Sequence, residues 1–218
     1  MKALIFDLDG TLLDTLADIA ACVNAVRAEL GLRPHPRAAY RRFVGDGLRR
    51  LLARALPPGA LRDGGLERAS RRFSQLYDAG ALERTRPYPG IARMLDGAVR
   101  RGLPMAVVTN KPQRFARKCV SALLPRWRFA AVLGARPGVP LKPHPAAALA
   151  AARALRAEPA DIAYLGDTGV DMKTARAAGM VPFAALWGFR GARELRRAGA
   201  RRLLRRPTEL LRALDGAV

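Results

Sequence analysis

The sequence predicts an α/β protein, a parallel β-sheet covered by helices on both faces, with a block of helices inserted after the first strand. Three observations carry this. The chain opens on the apolar run Ala3-Leu4-Ile5-Phe6, which ends in Asp7-Leu8-Asp9-Gly10-Thr11. From about residue 91 onward, short apolar strands alternate with helix-period segments, the pattern of a parallel sheet with crossover helices. Between these regions lies a stretch of helical periodicity with no convincing strand. At 218 residues the chain has room for one substantial core and a small inserted domain.

Residues 2–7 read as the first strand. From Leu16 to Leu30 the apolar residues Leu16, Ile19, Ala20, Val23, Val26 and Leu30 recur at three- and four-residue intervals, which predicts an amphipathic helix stopped by Gly31. Further helices are expected over Ala38–Leu56 and Leu66–Leu82, separated by Pro57-Pro58-Gly59. Pro87-Tyr88-Pro89-Gly90 marks the return to the main body. A helix near Ile91–Arg101 then precedes the strand Met105–Val108, and a second helix leads to a strand at Ala130–Leu133. Beyond it come a helix over Ala146–Leu155, the strand Ile162–Leu165, a helix over Met172–Ala178 and the strand Val181–Leu186. The Arg-rich C-terminal stretch reads as a solvated helical face plus a final strand.

Composition narrows the function classes. No apolar run reaches the roughly 18–20 residues that span a bilayer, which argues against a membrane partner. The N-terminus lacks the pattern of a signal peptide, so a cytoplasmic location is expected. Cys22 and Cys119 are isolated and read as free, buried thiols rather than a disulfide framework or zinc site. The formal net charge is +21, yet only five of the 39 basic residues are lysines, and the arginines are scattered along the chain. Aromatic residues make up 6%, too few and too dispersed for a stacking strip. The charge therefore fits coding bias and attraction of small anions better than nucleic-acid binding.

The chemistry gathers at strand ends. Side chains two apart on a strand point to the same side, so Asp7 and Asp9 are expected together at the carboxyl end of the first strand. Ligand sites of open α/β sheets form there. Two carboxylates held close need a cation, a shared proton or a reaction. Three more segments carry polar groups to the same edge: Val108-Thr109-Asn110-Lys111, Leu141-Lys142-Pro143-His144 and Gly166-Asp167-Thr168-Gly169-Val170-Asp171.

This ordered set resembles the haloacid dehalogenase superfamily of phosphotransferases. The resemblance covers nearly the whole chain and rests on Asp7-x-Asp9-Gly10-Thr11, Thr109, Lys142-Pro143 and Gly166-Asp167-Thr168-x-x-Asp171. Asp9, absent from dehalogenases of the superfamily, turns the expectation towards phosphate chemistry. Thr11, where the mutase branch often has Val, leans it towards hydrolysis. Within the superfamily the chain is most similar to the bacterial phosphoglycolate phosphatases. That similarity uses Leu12-Leu13-Asp14-Thr15, Val44-Gly45-Asp46-Gly47, Pro87-Tyr88-Pro89-Gly90 and Trp187-Gly188-Phe189.

The resemblance implies a Rossmann-like core over 1–15 and 88–218 and a helical cap over 16–87. It implies a magnesium-dependent hydrolase of a small phosphorylated metabolite, 2-phosphoglycolate first. Asp7 would be the nucleophile, Asp9 the general acid and base, and Lys142 the charge-balancing cation. Thr109, Asn110 and Gly45 would contact substrate. Asp7, the Asp9 carbonyl, Asp167 and Asp171 would hold Mg2+. Arg41, Arg42, Arg49 and Arg50 stand near the cap turn as candidates for a substrate carboxylate, and Asp14 is expected to position the first helix. His144 is read as local structure. The assembly is expected to be a monomer or homodimer. Alternatives are a related phosphatase for another sugar phosphate, nucleotide or pyrophosphate, a mutase, or a basic nucleic-acid-binding protein on the same scaffold.

Overall fold

A computed structural model describes residues 1–80 and 82–215. β1 (Ala3–Phe6) leads through β2 (Leu13–Asp14) into four helices, α1 (Leu16–Glu29), α2 (Arg37–Phe43), α3 (Leu48–Ala55) and α4 (Gly65–Gly80). The chain returns at β3 (Arg86–Pro87) and then alternates through α5 (Ile91–Arg100), β4 (Met105–Pro112), α6 (Gln113–Leu123), β5 (Ala131–Ala135), α7 (Ala146–Leu155) and β6 (Ile162–Gly166). It finishes with α8 (Gly169–Ala177), β7 (Val181–Ala185), α9 (Ala192–Arg197), β8 (Arg202–Leu204) and α10 (Leu210–Asp215).

Six strands form one sheet in the order β5-β4-β1-β6-β7-β8, with every neighbouring pair parallel. Connections run outward from β1 in both directions, so the sheet changes winding sense beside its first strand. That switch is where such sheets open a crevice at their carboxyl edge.

β1, β6, β7 and the first half of β4 are apolar because both faces are covered. Leu4 and Phe6 join Met105, Val107, Ala163 and Leu165 under α5, α6 and α10. Ala3 and Ile5 join Ala106, Val108, Ile162 and Tyr164 on the opposite face, under α7 and α8. The two-residue alternation of a strand thus divides one apolar run between two cores. A third apolar cluster lies among α1–α4, built on Val23, Tyr40, Leu52, Phe73 and Tyr77, and it reaches Phe115 and Phe189.

Three elements differ from the sequence expectation. The helix predicted over Ala38–Leu56 is two helices, broken at Val44–Gly47. Gly45 and Gly47 take φ of +129° and +87°, values that L side chains disfavour and that turn the chain sharply. The strand predicted to stop at Val108 continues to Pro112, through an irregularity in its pairing with β5 between Val108 and Pro112. The helix predicted to reach Leu82 ends at Gly80, and position 81 lies outside the described residues.

The chain passes between sheet and helices twice, and the two passages are tied. β2 and β3 pair antiparallel, Leu13 opposite Pro87. The buried Asp18 carboxylate, in the first turn of α1, accepts from the Thr85 hydroxyl at 2.6 Å and from the backbone N–H groups of Arg84 and Thr85. Among the described residues, no helix is long and apolar enough to cross a membrane.

Candidate active site

Asp7 directly follows β1, and its backbone N–H still donates to Leu165 of β6 at 2.9 Å. The sheet therefore fixes where its carboxylate points. Gly10 then turns the chain with φ of +87°; a Cβ there would stand 2.4 Å from Asp167 Oδ2. Only glycine lets this turn pass so close to the second acidic loop. Thr11 continues the contact, its hydroxyl donating to Asp167 Oδ1 at 3.0 Å. The Phe189 N–H donates to Asp167 Oδ2 at 2.8 Å.

Asp7, Asp167 and Asp171 converge from the ends of β1 and β6 and the first turn of α8. All three are buried, and each offers an oxygen within 4.8 Å of the others. Lys142 Nζ donates to Asp171 Oδ1 at 2.6 Å and to the Val108 carbonyl at 3.1 Å. It stands 2.9 Å from Asp7 Oδ1, close enough for an ion pair. The approach lies outside hydrogen-bonding angles, so this buried oxygen accepts no hydrogen bond. Asp171 Oδ2 also accepts from the Thr168 N–H and hydroxyl, closing a capping box on α8.

The electrostatics follow from burial. Desolvation is the largest influence on Asp7 and raises it to about 7; the Asp171 and Asp9 charges add to the rise, and Lys142 opposes it. Asp167 is pushed well above the carboxylate range by burial, then by Asp171 and Asp7. Burial works against the Lys142 charge, yet Asp171 and Asp7 hold its pKa well above the ordinary lysine value. One lysine does not neutralise three enclosed carboxylates. Three oxygen donors, one an orphaned buried atom, together carry excess negative charge, and this donor set fits a hard divalent cation such as Mg2+. The Asp9 carboxylate is not part of the trio.

Asp9 instead pairs with Lys111, Nζ to Oδ1 at 2.9 Å, with both side chains largely withdrawn from solvent. The Lys111 ammonium lies 4.6 Å from the centre of the Tyr77 ring on α4. Burial disfavours the Lys111 charge, but Asp9, then Tyr77, hold its pKa above the ordinary lysine value. Lys111 sits in the Val108-Thr109-Asn110-Lys111 segment, which by itself assigns it no role. The local sequence carries no sign of it, because its partner lies 102 positions away.

The remaining expected site residues fall around these two groups. Asp7, Asp9, Thr109, Asn110, Lys111 and Gly45 all line one cavity between the sheet edge and α1, α3 and α4. The Thr109 hydroxyl accepts from the Lys111 N–H at 3.2 Å. The Asn110 amide is committed to protein partners: its nitrogen donates to the Gly45 and Lys142 carbonyls, and its oxygen accepts from the Lys142 N–H. It thus ties the Val44–Gly47 turn to the lysine loop. The arginines near that turn are engaged elsewhere: Arg41 donates to the Gly188 carbonyl, Arg49 pairs with Glu67, and Arg50 faces Asp46 at 3.8 Å. None of them, nor Arg42, lines the cavity. Asp14 accepts from the Leu16 N–H at the start of α1, and His144 accepts from the Ala146 N–H.

A parallel sheet that gathers three buried carboxylates and a buried lysine at its carboxyl edge has the layout of an α/β enzyme with its site at the strand ends. The model of the haloacid dehalogenase-like hydrolases matches residues 1–179. The chain belongs to that family. The phosphoglycolate phosphatase of Xylella fastidiosa is 37% identical over 87% of this chain and 82% of its own length. That of Aquifex aeolicus is 30% identical over 100% of this chain and 99% of its own. Among solved structures, CbbY from Rhodobacter sphaeroides, in complex with phosphate, is 28% identical with a TM-score of 0.79, covering 99% of both chains. The haloacid dehalogenase-like protein SP0104 from Streptococcus pneumoniae is 25% identical with a TM-score of 0.86 over 98% of both.

Proposed function

We propose that the protein hydrolyses a small phosphomonoester with the help of Mg2+, releasing inorganic phosphate from 2-phosphoglycolate. Its class, phosphoric monoester hydrolase, accords with the family and with its curated relatives. One observation carries the site reading. Asp7 and Asp9 lie at the mouth of a single strand, and each faces its own buried lysine.

Asp7, Asp167 and Asp171 would hold the cation with the Asp9 carbonyl, and the cation would offset charge on phosphate and carboxylates. The Asp7 carboxylate attacks phosphorus, a bond to it forms and the bond to the ester oxygen breaks. Asp9 gives its proton to the departing oxygen, so glycolate leaves as the alcohol. Asp9 then takes a proton from water as that water attacks the aspartyl-phosphate, which regenerates Asp7 and frees phosphate. Lys142 holds Asp7 in place and balances its charge, while the Thr109 hydroxyl and adjacent N–H groups orient phosphoryl oxygens. The block 16–87 acts as a cap over residues 1–15 and 88–218, bringing the Val44–Gly47 turn over the substrate. The two buried free thiols suit a cytoplasmic location.

The deciding experiment measures phosphate release, with Mg2+, from 2-phosphoglycolate, nucleotides and sugar phosphates. A preference for 2-phosphoglycolate supports the substrate. A preference for another ester replaces it and keeps the mechanism, and no release from any overturns both.

A further inference from the structure

We propose that Lys111 selects the substrate: its ammonium receives the carboxylate of the ester and exchanges Asp9 for it. The inference rests on the phosphatase reading above and deepens it. Among the described residues, Lys111 is the one cation lining the cavity, whose other walls are largely apolar, with Ile19, Val44, Leu48, Leu51, Phe73 and Phe115. Lys142 is already bound to Asp7 and Asp171. Arg41, Arg49 and Arg50 are engaged by other partners, and Arg42 does not line the cavity. An anionic group entering this cavity beside the phosphoryl position therefore has one cation to meet.

The distances suit a short substrate. Lys111 Nζ lies 2.9 Å from Asp9 Oδ1, the carboxylate that serves the ester oxygen. In 2-phosphoglycolate a single methylene separates that oxygen from the carboxylate, so one ammonium can reach the acid while Asp9 reaches the oxygen. A buried ion pair gives little net stability over an apolar pair of similar volume, so stability alone does not account for a lysine facing the cavity. The π-face of Tyr77, 4.6 Å away, keeps the ammonium attracted while it changes carboxylate partners. A site built to pair a substrate charge rejects the analogue lacking it, because its own charge is then left badly matched.

The test compares kcat and KM for 2-phosphoglycolate, 3-phosphoglycerate and ethyl phosphate in the wild-type protein, Lys111→Met and Lys111→Arg. Lys111→Met is expected to cut the preference for the carboxylated ester over ethyl phosphate at least tenfold, with the loss falling mainly in KM. Lys111→Arg is expected to restore part of that preference. An equal fall for both kinds of ester would make Lys111 structural and overturn the proposal. On the unaltered protein, 2-phosphoglycolamide should show a KM at least tenfold above the acid. Equal KM for acid and amide would overturn the proposal even if Lys111→Met fails to fold. A wild-type preference for 3-phosphoglycerate that Lys111→Met loses would retire 2-phosphoglycolate and keep the role of Lys111. A preference for ethyl phosphate would overturn both.

Discussion

At the scale of single residues, two charges at the site have opposite consequences when removed. Asp7→Asn takes away the proposed nucleophile but also one member of a crowded acidic trio. It is expected to abolish phosphate release while leaving the circular dichroism spectrum and melting temperature at or above those of the wild type. Turnover at the normal rate would remove Asp7 from the mechanism. Lys142→Met does the reverse, leaving the Asp7 and Asp171 carboxylates buried without their cation. Breaking one side of a buried pair costs about 3–5 kcal/mol, so urea denaturation should show a loss of that order along with lost activity. A loss below about 1 kcal/mol would mean that solvent reaches the trio.

At the scale of elements, the join between sheet and α1–α4 hangs on one carboxylate. Asp18 holds two backbone N–H groups and a hydroxyl from the returning chain. Hydrogen bonds to a charged group contribute about 1.5–3 kcal/mol, and a buried donor left unsatisfied adds to the cost. Asp18→Ala is therefore expected to destabilise the protein by about 2–4 kcal/mol in equilibrium unfolding. The same scale shows what the sequence could and could not tell. Alternating strands and helices were legible because buried strands are continuously apolar, as in Met105–Val108 and Ile162–Leu165. The extension of β4 through Thr109-Asn110-Lys111 was not, because a polar run at a strand end looks like a loop until its partner strand is known. The turn at Gly45-Asp46-Gly47 was legible from its glycines, but its division of Ala38–Leu56 into two helices was masked by apolar periodicity that runs on across it. Asp7, Asp9, Asp167 and Asp171 were legible as a motif, whereas the pairing of Asp9 with Lys111 is a product of tertiary packing.

At the scale of the whole molecule, a cation bound by the trio stabilises only the folded chain, since the three carboxylates come from positions 7, 167 and 171. At a concentration 100-fold above its Kd it adds about 2.7 kcal/mol. For a chain of this size that is a rise of roughly 5–10 °C in melting temperature. Mg2+ is expected to give such a rise, reversed by EDTA, which should also stop phosphate release reversibly. An unchanged melting temperature across a millimolar titration would remove the trio as a metal site.

The central position of β1 has a consequence for how the protein is made. Leu4 pairs with Met105 and Ile5 with Tyr164, so β1 needs partner strands synthesised about 100 and 160 residues after it. At about 5–20 residues per second, β6 emerges roughly 8–30 s after β1. Until β6 emerges, Ala3–Phe6, fully enclosed in the finished sheet, lacks a partner on at least one edge. Long-range parallel pairing of this kind is slow and open to aggregation. A nascent chain stalled at residue 150 is accordingly expected to remain protease-sensitive and to recruit holdase chaperones, and release of the full-length chain should end both.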